Sequence, residues 1–346
     1  MWLSSARRRL LPPQFALMEL GTSLWPALCL IAFARLRIAE TLTGGSKTAA
    51  EIAEAARLDA GALYRLLRLL AGYDIVREDR SGRFSLTRIG RSLGASGHFP
   101  AGPFLRYLGE PWQLGPWVRL DESLRTGKPV FEAMYGQPFF DFVREHAGAA
   151  EIFDEAMTSV VRLHAAAVRD GYDFSSASCV VDVGGGKGVQ LSALLAANAH
   201  LRGVLFDLPH VVEAATAALV SAQSQERCER IGGDFFVAVP GGGDLYLLSH
   251  VLHDWDDAGA LRILRACRAA MTPNAKLLIV ECVIENGTNR WNQGHLTDLQ
   301  MLLTLSGRER TRDEFASLLG AAGFSIARVL PVAAAESIVE ALPVAG

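Results

Sequence analysis

A valine-rich run, Val180-Val181-Asp182-Val183, passes without a break into Gly184-Gly185-Gly186-Lys187-Gly188. The run reads as a buried strand. The glycines allow a tight turn and a close backbone approach to a ligand where a helix begins. From Cys179 onward the pattern alternates. Expected strands are Cys179–Val183, Gly203–Phe206, Glu229–Gly232, Leu245–Leu248 and Lys276–Glu281, with helices between them. That order describes a parallel sheet covered on both faces, an α/β fold. A last strand pair, near Ser325–Val332 and Glu336–Ala341, is expected at the sheet edge. Thr311-Arg-Asp-Glu314 has capping-box spacing and opens the helix before that pair.

The N-terminal part has a helical period instead. Thr48-Ala-Ala-Glu51 is another capping-box spacing, and Asp59 starts a second helix with Leu63, Leu66, Leu67 and Leu70 on one face. Ile75-Val76-Arg77-Glu78, a turn at Asp79–Gly82 and Arg83-Phe84-Ser85-Leu86 follow, so the segment reads as a winged helix-turn-helix. A DNA-reading helix presents basic or amide residues near its N-terminus. Here that end is Asp59-Ala60-Gly61-Ala62-Leu63, which favours a packing or dimerisation role. The 34 basic and 37 acidic residues, net charge −3, likewise argue against bulk electrostatic binding of nucleic acid.

Arg7-Arg8-Arg9 ahead of the uncharged run Leu20–Ala34 imitates a secretory signal. Glu19 separates the two, and the run is short of the ~20 residues that span a bilayer. Continuation through Arg35-Leu36-Arg37-Ile38-Ala39-Glu40 as one amphipathic helix is expected, giving a core or interface helix and no membrane span. Five widely spaced cysteines without a C-x-x-C read as free thiols in a reducing compartment. Residues 99–170 are rich in aromatics, among them Phe99, Trp112, Phe139 and Phe153, and are broken by Gly and Pro. Such segments suit an apolar small-molecule pocket. The expected division is residues 1–98, a helical linker 99–170, and 171–346.

Position 189 is Val, so the dinucleotide spacing G-x-G-x-x-G fails, and no G-x-x-x-x-G-K-[ST] exists. Asp207 ends the next strand, where a carboxylate accepts from a ribose diol. Gly233-Asp234-Phe235-Phe236 follows the third strand, a carboxylate beside an aromatic that suits adenine. Each alone reads equally well as a strand-end cap; three at successive strand ends point to a nucleoside. His253 follows the fourth strand within Leu252-His253-Asp254-Trp255. With Glu281 and Glu309 as candidate partners, it has the surroundings of a general base. No cluster has metal-ligand spacing.

In this order, Asp-Val-Gly-Gly-Gly-Lys-Gly, Phe206-Asp-Leu-Pro209, Gly-Asp-Phe-Phe, Leu-His-Asp-Trp and Gly-Arg-Glu-Arg-Thr resemble the S-adenosylmethionine-dependent O-methyltransferases. The likeness is to the class of plant caffeic-acid and flavonoid enzymes and bacterial natural-product enzymes, and it covers nearly the whole chain. It implies a Rossmann-like catalytic domain behind a winged-helix dimerisation domain, a cytoplasmic homodimer, S-adenosylmethionine as cofactor and no metal. It further implies that Gly184, Gly185 and Gly186 cradle the methionine part, that Asp207 with Leu208 holds the ribose, and that Asp234 and Phe235 hold the adenine. His253 would be the base, with Glu281 and Glu309 as acidic partners. Phe139, Phe153, Met157, Met301 and Leu305 would wall the acceptor pocket. Two departures stand out: Ser249 replaces the lysine of plant members near the cofactor, and Ser306-Gly307 replaces a glycine pair. Neither is expected to touch the base. Other readings stay open: an aliphatic or polyene alcohol, nitrogen or carbon as acceptor, a ligand-responsive regulator, or a nicotinamide enzyme, which Val189 disfavours.

Overall fold

The computed structural model describes residues 11–94, 100–215, 226–285, 287, 291–332 and 336–344. Arg7–Arg9, Phe99 and the expected boundary at 98 lie outside them. Two compact units divide the chain: Met1–Leu114 with Glu151–Ser159, and Gly115–Ala150 with Val160–Gly346. The segment 99–170, expected as one linker, is shared between them.

In the first unit, α1 (Pro13–Thr22) and α2 (Leu24–Arg35) replace the single helix expected there. Arg37 adopts a left-handed backbone, φ 50°, which stops the helix. The correction has a physical side: Phe15, Leu17, Met18, Leu20, Leu24 and Trp25 are exposed, and only Ile31, Phe33 and Ala34 of α2 are buried. The 23-residue stretch Pro13–Arg35, which takes in Glu19 and Arg35 beyond the uncharged run, is long and apolar enough to cross a membrane by length and composition only, a test that core helices of soluble proteins and signal sequences also pass. Next come α3 (Ala49–Ala56) and α4 (Ala60–Gly72). Thr48 and Glu51 exchange both capping-box hydrogen bonds, and Asp59 caps α4 through the Ala62 amide. Short β1 (Lys47–Thr48) joins β2 (Val76–Glu78) and β3 (Arg83–Leu86) in a sheet ordered β1-β3-β2. Phe33, Ile38, Ile52, Leu67, Leu70 and Phe84 form its core.

The second unit holds α5 (Val130–Tyr135), α6 (Phe139–Glu145) and most of the long α7 (Ala147–Gly171). Its sheet contains β4 (Cys179–Val183), β5 (Arg202–Asp207), β6 (Cys228–Gly232), β7 (Leu245–Ser249) and β8 (Lys276–Glu281), all parallel. The helices α8 (Val189–Ala197) and α9 (Asp257–Ala270) connect these strands. A two-stranded pair, β9 (Val283–Ile284) and β10 (Arg310–Thr311), brackets α10 (Gly294–Thr304). After α11 (Arg312–Ala321), β11 (Phe324–Pro331) and β12 (Ser337–Pro343) close the edge. The order is β11-β12-β8-β7-β4-β5-β6, with β12 antiparallel to both neighbours.

Strand alternation sends successive side chains to opposite faces. Val181, Val183, Tyr246, Leu248 and Ile279 join one core, while Val180, Leu205, Leu247, Leu278 and Val280 join the other. Such a sheet is buried on both faces. Its ligand-accessible end is the carboxyl end of the strands, at the point between β4 and β7 where the strand order reverses.

Candidate active site

The turn after β4 needs its glycines for different reasons. Gly184, Gly186 and Gly188 have φ of 71°, 57° and 76°. A Cβ on Gly184 would stand 2.9 Å from Val251 Cγ2 and 3.5 Å from Phe235 Cε1. On Gly185 it would meet the Asp182 carboxylate at 2.7 Å. On Gly186 it would meet nothing within 4 Å, so that position is constrained by its backbone and opens onto free space.

Beside this turn, Asp207 Oδ2 accepts from the Gly186 amide at 2.8 Å and Oδ1 from the Leu208 amide at 2.7 Å. Burial raises the Asp207 pKa, while these two amides oppose the rise. Each oxygen keeps a lone pair for a diol. Asp182 is 1% exposed, and among the described residues neither of its oxygens is in a hydrogen bond of normal geometry. Burial, with Asp207 nearby, pushes it up to about 7. On the next strand end, Asp234 Oδ1 accepts from the Phe236 amide at 2.8 Å, and the Gly233 amide donates to the Asp207 carbonyl at 2.9 Å. Phe235 is half-buried beside Gly184, and Leu208 is exposed. Ser249 ends β7, half-buried.

His253 stands in a single turn of 3-10 helix after β7 and is 8% exposed. Its Nδ1 lies 2.9 Å from Glu309 Oε1. That contact assigns the proton to Nδ1 and leaves Nε2 as the acceptor. Asp254 Oδ1 is 3.5 Å from Nε2, on the side where a proton would arrive. Burial opposes charge on the ring, but Glu309, Asp254 and Glu281 outweigh it and raise its pKa to about 10. Burial likewise pushes Asp254 up to about 6.

Glu281 works differently from the ring partner expected of it. It is fully buried, and its Oε1 accepts from the backbone amides of Leu252 at 2.6 Å and His253 at 3.0 Å. It therefore fixes the turn, while Glu309 fixes the imidazole. Glu309 is itself held by its amide, which donates to Asp298 Oδ1 at 2.9 Å.

Two further residues of this turn escaped the sequence reading. Arg310, 1% exposed, donates to the carbonyls of Leu252 and Trp255, both at 2.9 Å, and pairs with Asp257. Gly307 packs so tightly that a Cβ would lie 1.9 Å from the His253 carbonyl oxygen. The expectation that Ser306-Gly307 stays clear of the base is thus corrected at Gly307. The tandem Gly307-Arg308-Glu309-Arg310 was the available signal, but nothing local says that it docks on residues more than fifty positions earlier.

Among the expected pocket walls, Phe139 is 4% exposed, its ring packed on Phe131 and Phe140. Met301 and Leu305 sit together at the end of α10, where the Leu305 amide donates to the Met301 carbonyl at 2.8 Å. Phe153 and Met157 fall in the first unit, with Phe153 edge-on to Tyr107.

A glycine turn at the reversal point of a parallel sheet, with carboxylates at the two adjoining strand ends, defines an α/β enzyme that binds a nucleoside cofactor. Residues 117–325 match the O-methyltransferase domain, and residues 18–96 match the O-methyltransferase dimerisation domain. Phenazine O-methyltransferase PhzM of Lysobacter antibioticus is 39% identical over 96% of this chain and 97% of its own. The mitomycin biosynthesis 6-O-methyltransferase of Streptomyces lavendulae is 37% identical over 90% of this chain and 88% of its own. The solved structure of CalO1, a methyltransferase of calicheamicin biosynthesis in its S-adenosylhomocysteine-bound form, is 32% identical with a TM-score of 0.85, covering 96% of this chain and 98% of that one. The chain belongs to the S-adenosylmethionine-dependent O-methyltransferase family, with S-adenosylmethionine as its cofactor.

Proposed function

We propose that this enzyme methylates a hydroxyl on a largely apolar, aromatic small molecule of secondary metabolism, with His253 as the general base. The observation that carries the reading is the buried His253–Glu309 pair, 2.9 Å apart, on a turn fixed by Glu281 and Arg310. The phenazine and mitomycin relatives support an aromatic acceptor.

Bound S-adenosylmethionine supplies a methyl group already activated by the positive sulfur. The residues that would hold it are Gly184, Gly185 and Gly186 for the methionine part, Asp207 and Leu208 for the ribose, and Asp234 and Phe235 for the adenine. The open space at Gly186 and the spare lone pairs of Asp207 fit such a ligand. Ser249 ends β7, the parallel neighbour of β4, at the same carboxyl end of the sheet.

His253 Nε2 takes the acceptor proton. A free imidazole near 6.5 would leave a phenol near ~10 with an uphill transfer. The raised affinity of His253 removes most of that difference, because Glu309 stabilises the imidazolium through Nδ1–H. The rest of the acceleration comes from holding the acceptor oxygen in line with the methyl carbon. Met301 and Leu305 supply apolar contact for the ring.

The exposed apolar side chains of α1 and α2 support a homodimer built on the dimerisation domain, and the free cysteines support a cytoplasmic enzyme. The deciding experiment incubates the enzyme with S-adenosylmethionine and matched panels of phenols and aliphatic or polyene alcohols, and reads methyl ethers by mass spectrometry. Phenol methylation that falls at least about 100-fold in His253→Ala is expected. Activity retained within a few-fold would remove the base, and turnover of alcohols alone would overturn the acceptor class.

A further inference from the structure

Three side chains that methyl transfer does not use converge close to the base. His164 lies on α7, His250 directly follows β7, and Glu336 directly precedes β12. One nitrogen from each histidine and one carboxylate oxygen all lie within 4.8 Å of one another. Glu336 Oε1 is 2.7 Å from His164 Nδ1 and 3.5 Å from His250 Nε2.

Neither approach has hydrogen-bond geometry: among the described residues, His164 Nδ1, His250 Nε2 and Glu336 Oε2 are buried without a hydrogen-bond partner. The Glu336 side chain is only 2% exposed. Each unpaired buried polar atom costs about 1–3 kcal/mol, so two unpaired imidazole nitrogens facing one carboxylate oxygen call for a common ligand. A proton shared between two of them serves one pair and leaves the third atom unsatisfied. A cation that accepts lone pairs serves all three.

The donor set narrows the choice. Two imidazole nitrogens and one carboxylate oxygen form a catalytic-type zinc set, with bonds of about 2.0–2.2 Å. Tetrahedral bonds of that length place neighbouring ligand atoms about 3.3 Å apart. The two short separations already bracket this value. The backbone points the same way. His250 is held at φ 55°, a left-handed conformation that is uncommon for a residue with a side chain. Such strain persists where the surroundings demand one side-chain direction.

We propose that His164, His250 and Glu336 form a binding site for a first-row divalent cation, zinc being the best match. The site has three protein ligands and an open coordination position. It lies next to the catalytic base, since the His250 and His253 rings are 5.5 Å apart.

The test needs no turnover, so its outcome is independent of the methyl-transfer reading. Metal-stripped protein is titrated with Co²⁺ alone and read by visible ligand-field absorption. Zn²⁺ is then added as competitor. His250→Asn keeps a residue tolerant of the left-handed backbone, and Glu336→Gln keeps shape while removing the charge. One equivalent of Co²⁺ with displaceable visible bands is expected in the wild type. Its affinity should fall at least about 10-fold in each variant, each shown folded by circular dichroism. Absence of a one-to-one Co²⁺ spectrum in the wild type, or unchanged affinity in both variants, would overturn the site.

Discussion

Gly307 rests against the backbone of His253 so closely that a methyl group on it would lie 1.9 Å from the His253 carbonyl oxygen. The same group would stand 2.4 Å from the Asp254 carbonyl carbon and 2.7 Å from the Trp255 nitrogen. No rotation of a flexible side chain relieves such a contact, because every atom met is backbone. Gly307→Ala must therefore displace the turn that carries His253, the proposed base. A misplacement of about 1 Å costs on the order of 100-fold in rate. The expected result is a fall in kcat of about that size with S-adenosylhomocysteine affinity unchanged, read by steady-state kinetics beside calorimetry. Wild-type kcat in this variant would contradict the packing.

Glu309 and Glu281 should separate on substitution. Glu309 touches the ring, and Glu281 touches the amides of Leu252 and His253. Glu309→Gln removes the charge that stabilises the imidazolium and should lower kcat about 100-fold or more, with a loss of stability at neutral pH that shrinks as pH rises through about 10. Glu281→Leu leaves the amides of Leu252 and His253 without their acceptor and should cost about 1–3 kcal/mol of stability. Urea denaturation across pH distinguishes the two; a loss at Glu309 that does not shrink toward pH 10 would refute this division.

The raised proton affinity of His253 sets the pH dependence. Below about 10 the free enzyme carries mostly the protonated ring, which is inactive as a base. Log kcat/KM with a phenol is therefore expected to climb with a slope near +1 from neutral pH toward about 10. The Glu309→Gln variant should move the bend to lower pH, because the carboxylate that raises the ring is lost. Linkage gives the matching sign for stability. A group raised above its ordinary value near ~6.5 contributes fully below that pH, and its contribution is lost as pH rises through about 10. A pH-rate profile flat between 6 and 9 would oppose this account.

Asp207 lies beside the Gly186 and Leu208 amides, with both oxygens committed to the turn and still able to accept. Asp207→Ala removes the proposed ribose acceptor and loosens the glycine loop together. Calorimetric titration with S-adenosylhomocysteine should show binding by the wild type that is lost in the variant, and NADH should bind neither. Binding of NADH by the wild type would revive the nicotinamide reading.

Local chemistry wrote much of the fold into the chain. Lys276–Glu281 has the same limits in sequence and structure, and Arg202–Asp207 extends the expected strand by one residue at each end. Both expected capping boxes form, at Thr48–Glu51 and Thr311–Glu314. These features depend on neighbours within a turn of helix or on alternation along one strand. The limits of α2 were less legible. Apolar side chains run on past its end, but Arg37 in a left-handed conformation breaks the helix.

The sequence by itself determined the alternation that builds the sheet, the glycine turn and the strand-end carboxylates, because each is a statement about residues close in the chain. Tertiary structure alone decided what those groups do to one another. Glu309 reaches His253 across 56 positions, and Glu281 turned to the backbone across 28 and 29. Arg310 closes on the Leu252 carbonyl across 58, and Gly307 owes its identity to a backbone it meets only in the folded chain. His164, His250 and Glu336 are brought together from a helix, the end of β7 and the start of β12. No spacing encodes such meetings, since they follow from which strands pair and how closely the loops at their ends are packed.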